Sequence, residues 1–378
     1  MLTVVKAARL AARLLAPVKL FLCGDVMTGR GIDQVMAAPC DPSIHEPFAR
    51  SALDYVRLAE EANGPVPRGV APAYVWGEAL EELERAAPHA RIVNLETAVT
   101  TSADRQPKGI NYRMSPANAA CLAAARIDCC ALANNHVLDW GEAGLAQTLS
   151  TLQGIGIRCA GAGLGEEAAW APARIASGDG RLLFFSCAAA SSGVPRAWRA
   201  RAGRAGVALL PDLSARTLGA IGERIAAERR AGDLVVVSVH WGSNWDYAVT
   251  EEEQRFARGL LLAGAHVVHG HSSHHAKGIE VFDGKLILYG CGDLVNDYEG
   301  IGGHEAFRGE LGVLYFATLD RGAGRLLRLE MSVMRMRRLR LERAGPADVS
   351  WLGERLAREG RRFGTRVEAA AGGLALAL

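Results

Sequence analysis

The side chains best suited to chemistry in this 378-residue chain recur at one kind of place, the carboxyl end of an apolar run. Gly24-Asp25 follows the run 18–23, and Asn94-Leu95-Glu96 ends the run that begins at Ala90. Asn134-Asn135-His136 follows 127–132, His240-Trp241-Gly242 follows 234–239, and Gly270-His271-Ser272-Ser273-His274-His275 follows Val267-Val268. Asp, Glu, Asn and His are hard or borderline ligands, with no thiolate among them. A hydrolytic metal centre needs this mixture: carboxylates neutralise the ion, imidazoles complete its sphere, and an open position holds a water of lowered pKa. Each residue alone has a plainer reading. Asp25 suits a helix cap, Glu96 a solvated loop, Asn134-Asn135 a turn and His240 a hydrogen-bonded core histidine. Four of the ten histidines fall within residues 269–275, a clustering that packing does not explain.

The surrounding pattern supplies elements to hold these groups. Strands are predicted over 18–23, 90–95, 127–132, 157–160, 181–188 and 234–239, and the unbroken apolar runs mark strands covered on both faces. Helices are expected over 49–62, 76–86, 118–126, 142–154, 213–230 and 251–262. A hairpin spans 278–282 and 285–289 across Asp283-Gly284. Strands over 313–318, 326–329 and 333–340 complete a β-rich end, and Pro346 opens a last amphipathic helix with Val349, Leu352 and Leu356 on one face. In open α/β sheets ligands sit beyond the strand carboxyl ends, so all five loops can converge on one crevice.

Composition narrows the class. Half the residues are apolar (49%) and 22% are charged, enough for a sizeable core. The net charge of +2 argues against a nucleic-acid binder. Eight cysteines form no CxxC pair, and Cys23, Cys187 and Cys291 lie inside apolar runs, which fits reduced core residues. Residues 1–16 are apolar but interrupted by Lys6, Arg9 and Arg13, so a leader segment is expected rather than an integral span. The expected location is cytoplasmic, peripheral to the membrane at most.

The strings GDVMTGR (24–30), NLETAVT (94–100), KGINYRMSP (108–116), LANNHVLDWGEAGL (132–145), VVVSVHWGSNWDY (235–247) and GHSSHHAKGIEVFDGKLILYGCGDLVND (270–297) resemble the CapA family of bacterial capsule and poly-γ-glutamate synthesis proteins. That family is related to calcineurin-like metallophosphoesterases. The resemblance implies a metallophosphoesterase-like four-layer α/β/β/α sandwich over residues 18–335, after a leader at 1–17 and before a C-terminal helix and tail at 336–378. It implies one or two divalent ions (Mn, Fe, Zn or Mg) held by Asp25, Glu96, Asn135, His240, His271 and His274, with His275 as the substitute for His274. His136 then polarises substrate or protonates the leaving group. Three positions depart from the phosphoesterase pattern. Met27 stands where a histidine is expected, Glu96 replaces an aspartate, and the second histidine of the last motif falls one place late. These departures weigh against two-metal chemistry.

Asp139, three residues after His136, is placed to orient it, or to cap the helix after it. Arg30 either restores positive charge and grips an anionic substrate group or is a surface arginine. Lys108 and Arg113 either attract anionic substrate or are solvated charges. Trp241, Trp245 and Tyr247 either wall the cleft or pack. The expected activity is metal-dependent hydrolysis of a phosphoester or γ-glutamyl substrate. The alternatives are a non-catalytic capsule-assembly component and a phosphatase unrelated to capsule. Partners would be an anionic small molecule or polymer and capsule-synthesis proteins.

Overall fold

The computed structural model describes residues 16–177 and 180–378; residues 1–15, most of the expected leader, lie outside the described residues. Two sheets face one another. Six strands carry the candidate site: β1 (Val18–Val26), β2 (Ala90–Leu95), β3 (Cys129–Ala131), β4 (Leu234–His240), β5 (Val267–His271) and β6 (Asp293–Val295). The ten-stranded sheet runs Arg366–Ala370, Gly373–Ala377, Leu326–Met336, Leu311–Leu319, β1, β2, β3, Arg158–Ala160. β6 also pairs with β1, and Leu341–Arg343 with Leu326–Met336. The six-stranded sheet runs Ile279–Phe282, Lys285–Leu288, β5, β4, Gly180–Ala188, Ala173–Ser177. β1, β2, β3 and β6 are mutually parallel, as are β4 and β5, and the carboxyl ends of β1 and β5 meet across the sheets, where Ser272 and His271 approach Asp25.

Period-two alternation builds the layers. Along β1, Leu20 and Leu22 point into the core between the sheets, while Phe21 and Cys23 point to the outer core with Val56, Trp76 and Leu122. Along β4, Leu234 and Val236 face the other sheet, and Val235, Val237 and Val239 face helices carrying Ile221, Ile225, Phe256 and Leu260. Three apolar layers between four layers of structure make the expected α/β/β/α sandwich. The helix Glu251–Leu262 matches its expected bounds because Thr250 and Glu253 form a full capping box.

The β-rich end differs in detail from expectation. One strand, Leu326–Met336, replaces the two expected over 326–329 and 333–340, and it pairs along most of its length with Leu311–Leu319. It ends at a turn where Arg338 and Leu339 adopt left-handed φ of +54° and +55°, and the chain returns as Leu341–Arg343. The helix Pro346–Gly360 is present, but it leads into a hairpin, Arg366–Ala370 with Gly373–Ala377, that extends the large sheet. Its alanine-rich strands carry a single β-branched residue, Val367, and so little strand signal, and Ala371-Gly372 forms the turn, with Gly372 at φ +85°. Among the described residues, no helix is long and apolar enough to cross a membrane.

Candidate metal centre

The first half of the site forms where β1 meets β6. Asp25 and Asp293 are paired neighbours on these strands, and the Asp25 N–H donates to the Gly292 carbonyl at 3.0 Å. Only glycine permits this approach: a Cβ on Gly24 would lie 1.7 Å from the Gly292 oxygen, and Gly292 itself has φ +75°. From β2, the Asn94 amide donates to Asp25 Oδ1 (2.7 Å) and to Glu96 Oε2 (2.9 Å), tying the two carboxylates together. Asp25, Glu96 and Asp293 are all buried. Burial, and then the nearby Asp293, pushes the Asp25 carboxyl up to about 7. Burial and then Asp25 raise Glu96 as well.

The second half comes from the facing sheet. His240 ends β4 and His271 ends β5, in register, and their Nδ1 atoms lie 2.7 Å apart. His240 Nδ1 is 3.8 Å from Glu96 Oε2, and His271 Nδ1 is 3.8 Å from Asp25 Oδ1. Asn135 Oδ1 lies 3.2 Å from His240 Nε2, and Ser238 Oγ lies 2.7 Å from His271 Nε2. Beyond β5 the chain turns through Ser272 at φ +98°, which points its N–H at Asp25 Oδ2 (3.3 Å). His274 Nδ1 then reaches Asp293 Oδ1 at 2.9 Å.

Two donor clusters result, Asp25–His240–His271 and Asp25–His274–Asp293, each with ligand atoms within 4.8 Å of one another. The donor set fits a divalent cation. Burial lowers the pKa of His240 and His271, which keeps them neutral with lone pairs available, while three buried carboxylates, Asp25, Glu96 and Asp293, stand close together. At His274, burial opposes protonation but Asp293 outweighs it and raises the pKa.

The structure thus brings Asp25, Glu96, Asn135, His240, His271 and His274 together at one edge of the two sheets. His275 turns away and packs on Tyr247 (4.3 Å) and Phe307 (4.7 Å). Asp293 belongs to the site and was not singled out by sequence, and Asn94, named there only within the string Asn94-Leu95-Glu96, gains its role as the donor to both carboxylates. Asp293 follows Gly-Cys-Gly and opens a three-residue strand, so no apolar run marks it, although its GD doublet repeats that of Gly24-Asp25.

His136 sits beside the clusters, with Nε2 4.0 Å from Glu96 Oε1. Its Nδ1 lies 2.6 Å from Asp139 Oδ2, and the Tyr112 ring packs edge-on at 4.4 Å. Asp139 caps no helix here: Trp140 occupies that position without a side-chain cap bond. Lys108 is not a free solvated charge, since its ammonium donates to Asp139 Oδ1 (2.7 Å) and to the Asn135 carbonyl. Burial, and then Lys108, lowers His136 to about 4. Arg113 lies over Trp140 (4.0 Å) and braces Ser102 and Asp41 instead of reaching the centre. Arg30 is no surface arginine. It is buried at φ +47°, forked onto Asp297, bonded to Glu46 and Tyr55, and stacked between Tyr55 (3.7 Å) and Tyr112 (4.4 Å). Trp241 packs in the outer core; Trp245 lies 5.0 Å from the His274 ring.

A family model for the bacterial capsule synthesis protein PGA_cap matches residues 19–298, a stretch that contains every residue of the centre. The chain belongs to the PGA_cap family. A PGA_cap relative from Mycobacterium tuberculosis, named a probable polyglutamine synthesis accessory protein, is 47% identical over 355 residues, covering 93% of each chain. The PGA biosynthesis protein CapA of Bacillus subtilis is 29% identical over 165 residues, covering 44% of this chain and 41% of that one. Among solved structures, a 5'-nucleotidase precursor from Thermus thermophilus aligns with 84% of this chain and 54% of its own, at a TM-score of 0.46 and 14% identity. The CapA resemblance read from six strings is therefore the family, and Asp293 and Asn94 lie inside two of those same strings.

Proposed function

We propose that this PGA_cap chain is a metal-dependent hydrolase that acts on a phosphoester or γ-glutamyl substrate in polyglutamate or capsule synthesis. The observation that carries the reading is Asp25, a buried carboxylate shared by two His/Asp donor clusters at the mouth between two sheets. Asp25, His240 and His271 would hold one ion, with Glu96 and Asn135 beside it. Asp25, His274 and Asp293 would hold a second, so that Asp293 supplies the ligand that Met27 does not. A bound cation would supply Lewis-acid polarisation and a nucleophile at neutral pH. The protein's own part is then defined. His136, oriented through Nδ1 by Asp139, stands beside Glu96, where its Nε2 would first take up a proton and then pass it to the leaving group. Lys108 fixes Asp139 and the Asn135 backbone in one grip, and Arg30 holds Tyr112 against the His136 ring.

The test is metal analysis of the purified chain, then a panel of phosphomonoesters, phosphodiesters and γ-glutamyl amides with and without chelator. Chelator-sensitive turnover of one class supports the reading. Metal binding without turnover of any of them supports the second reading, a non-catalytic assembly component. That reading is favoured by the word accessory in the name of the 47%-identical relative.

A further inference from the structure

Beside His274 the molecule holds a cavity of about 380 Å³ that the reaction chemistry does not use. It adjoins the centre directly: His274 lines it, and Asn296, another lining residue, donates to Asp293 Oδ2 at 3.1 Å. Its walls are largely flat or apolar, with Trp245, Tyr298, Ile110 and Met336 among them. At its mouth stand Phe48, 69% exposed, and Ile301, 41% exposed. Two large apolar side chains left in water on the rim of a cavity mark a place where an apolar group is meant to be covered.

Charge selects the occupant further. Glu299, Glu305 and Glu310 line the cavity. Its two arginines are already paired, Arg30 with Asp297 and Glu46, and Arg335 with Asp348. A polyanionic chain entering here would meet Glu299, Glu305 and Glu310, the last paired with Arg308, while the lining arginines and His274 already face carboxylates of their own. An uncharged ring meets aromatic faces and aliphatic rim. The outer wall, Gly300 to Glu305, is exposed, has Gly300 at φ +80° and Gly303 at φ +103°, and rests on the body by the stacking of His304 on Trp245, 4.2 Å apart and 5° from parallel.

We propose that this cavity is a subsite for an uncharged, ring-bearing portion of the substrate, seated next to the group that reacts at Asp25, Asp293 and His274. The inference rests on the hydrolase reading for what happens beside the subsite, but binding in the cavity itself needs neither metal nor turnover. It also places a glutamyl polymer, if one is handled, outside this cavity.

Indole is the probe, read by saturation-transfer NMR on the full chain, with phenyl phosphate, methyl phosphate and γ-triglutamate as competitors. Indole should bind, and Ile301→Asp and Phe48→Ser, both at exposed positions that leave the core intact, should each weaken it about tenfold. Phenyl phosphate should displace indole at least tenfold better than methyl phosphate, and γ-triglutamate should not displace it. Equal indole binding by the unaltered chain and both variants overturns the proposal, as does displacement by γ-triglutamate as effective as that by phenyl phosphate. A chain that binds indole at this rim yet hydrolyses nothing sinks the hydrolase reading and leaves the subsite. A chain that hydrolyses both phosphates equally and binds no indole sinks the subsite alone.

Discussion

His136 and His240 both approach Glu96, and the difference between them is what their other nitrogens do. His136 turns Nδ1 to Asp139, while His240 turns Nδ1 to His271 within the donor cluster. His136→Ala should therefore keep the bound metal and lower turnover by about 10²–10⁴-fold, most for poor leaving groups. His240→Ala should lose metal and turnover together. Elemental analysis beside steady-state kinetics separates the two, and loss of metal from His136→Ala would make it a ligand. Asp25 gives a second outcome at this scale. Its folded pKa of about 7 lies above the unfolded value of 3.8, so in metal-free protein its contribution to stability is present below pH 3.8 and is lost as pH rises through 7. A divalent ion favours the charged carboxylate and reverses that loss. Thermal melts with and without chelator should show metal raising Tm more at pH 8 than at pH 5; equal gains at both would contradict a site at Asp25. The candidate ligands were legible where an apolar run announces a strand end, as at Asp25, His240 and His271. Asp293 was not, because a three-residue strand carries no period, and Lys108 was read as a substrate-attracting or solvated charge because a loop shows nothing of its bond to Asp139.

At the scale of elements, the junction of β1 with β6 depends on two glycines. Gly24→Ala would drive a methyl group into the Gly292 carbonyl and force the strands apart. It should cost about 3 kcal/mol or more and weaken metal binding even though no ligand is changed. Urea denaturation with metal titration reads both effects, and a variant of unaltered stability would refute the close contact. Ser272 is the converse case. A non-glycine residue at φ +98° is strained, and its N–H is aimed at Asp25. Ser272→Gly should raise stability by about 1 kcal/mol in the same denaturation and leave metal affinity unchanged, since the backbone donor remains. Element types were readable because β1 and β4 are continuous apolar runs and Thr250-Glu253 is a capping box. The long strand Leu326–Met336 was read as two because Glu330 and Ser332, on the face opposite Leu329, Met331 and Val333, interrupt its apolar pattern, although the backbone pairing with Leu311–Leu319 runs through them.

For the whole molecule, the C-terminal hairpin is part of the core between the sheets. Val367, Leu374 and Leu376 are buried there beside Met331 and Leu352. Ending the chain after Gly364 would remove these three side chains and uncover an edge of Leu326–Met336. Truncation should cost roughly 5 kcal/mol and promote aggregation, measurable as a lower Tm and loss of monodispersity by light scattering. Acid sensitivity has a source far from the centre. His266 Nδ1 accepts the Val235 N–H (2.8 Å), and burial, then Arg229, lowers its pKa to about 4. The unfolded chain takes up a proton near pH 6.5 that the folded ring refuses, so stability present at neutral pH should fall by up to roughly 3 kcal/mol as pH drops from 6.5 to 4. His266→Gln should flatten that slope, and an unchanged slope would place the acid sensitivity elsewhere.

The position of β1 has a consequence for how the chain comes into being. One side of this strand is satisfied early, by β2 at Ala90–Leu95, but its other neighbours are β6 at Asp293–Val295 and Leu311–Leu319. During synthesis this central, almost wholly buried strand of the large sheet must wait, one edge open, for nearly 300 residues to leave the ribosome. Closing such a distant pair is slow, and an open apolar edge invites pairing with other chains, so this fold meets its greatest hazard before its last third exists. Asp25 and Asp293 meet only when that wait ends, and a cation bound between them would reward the completed chain and no fragment of it.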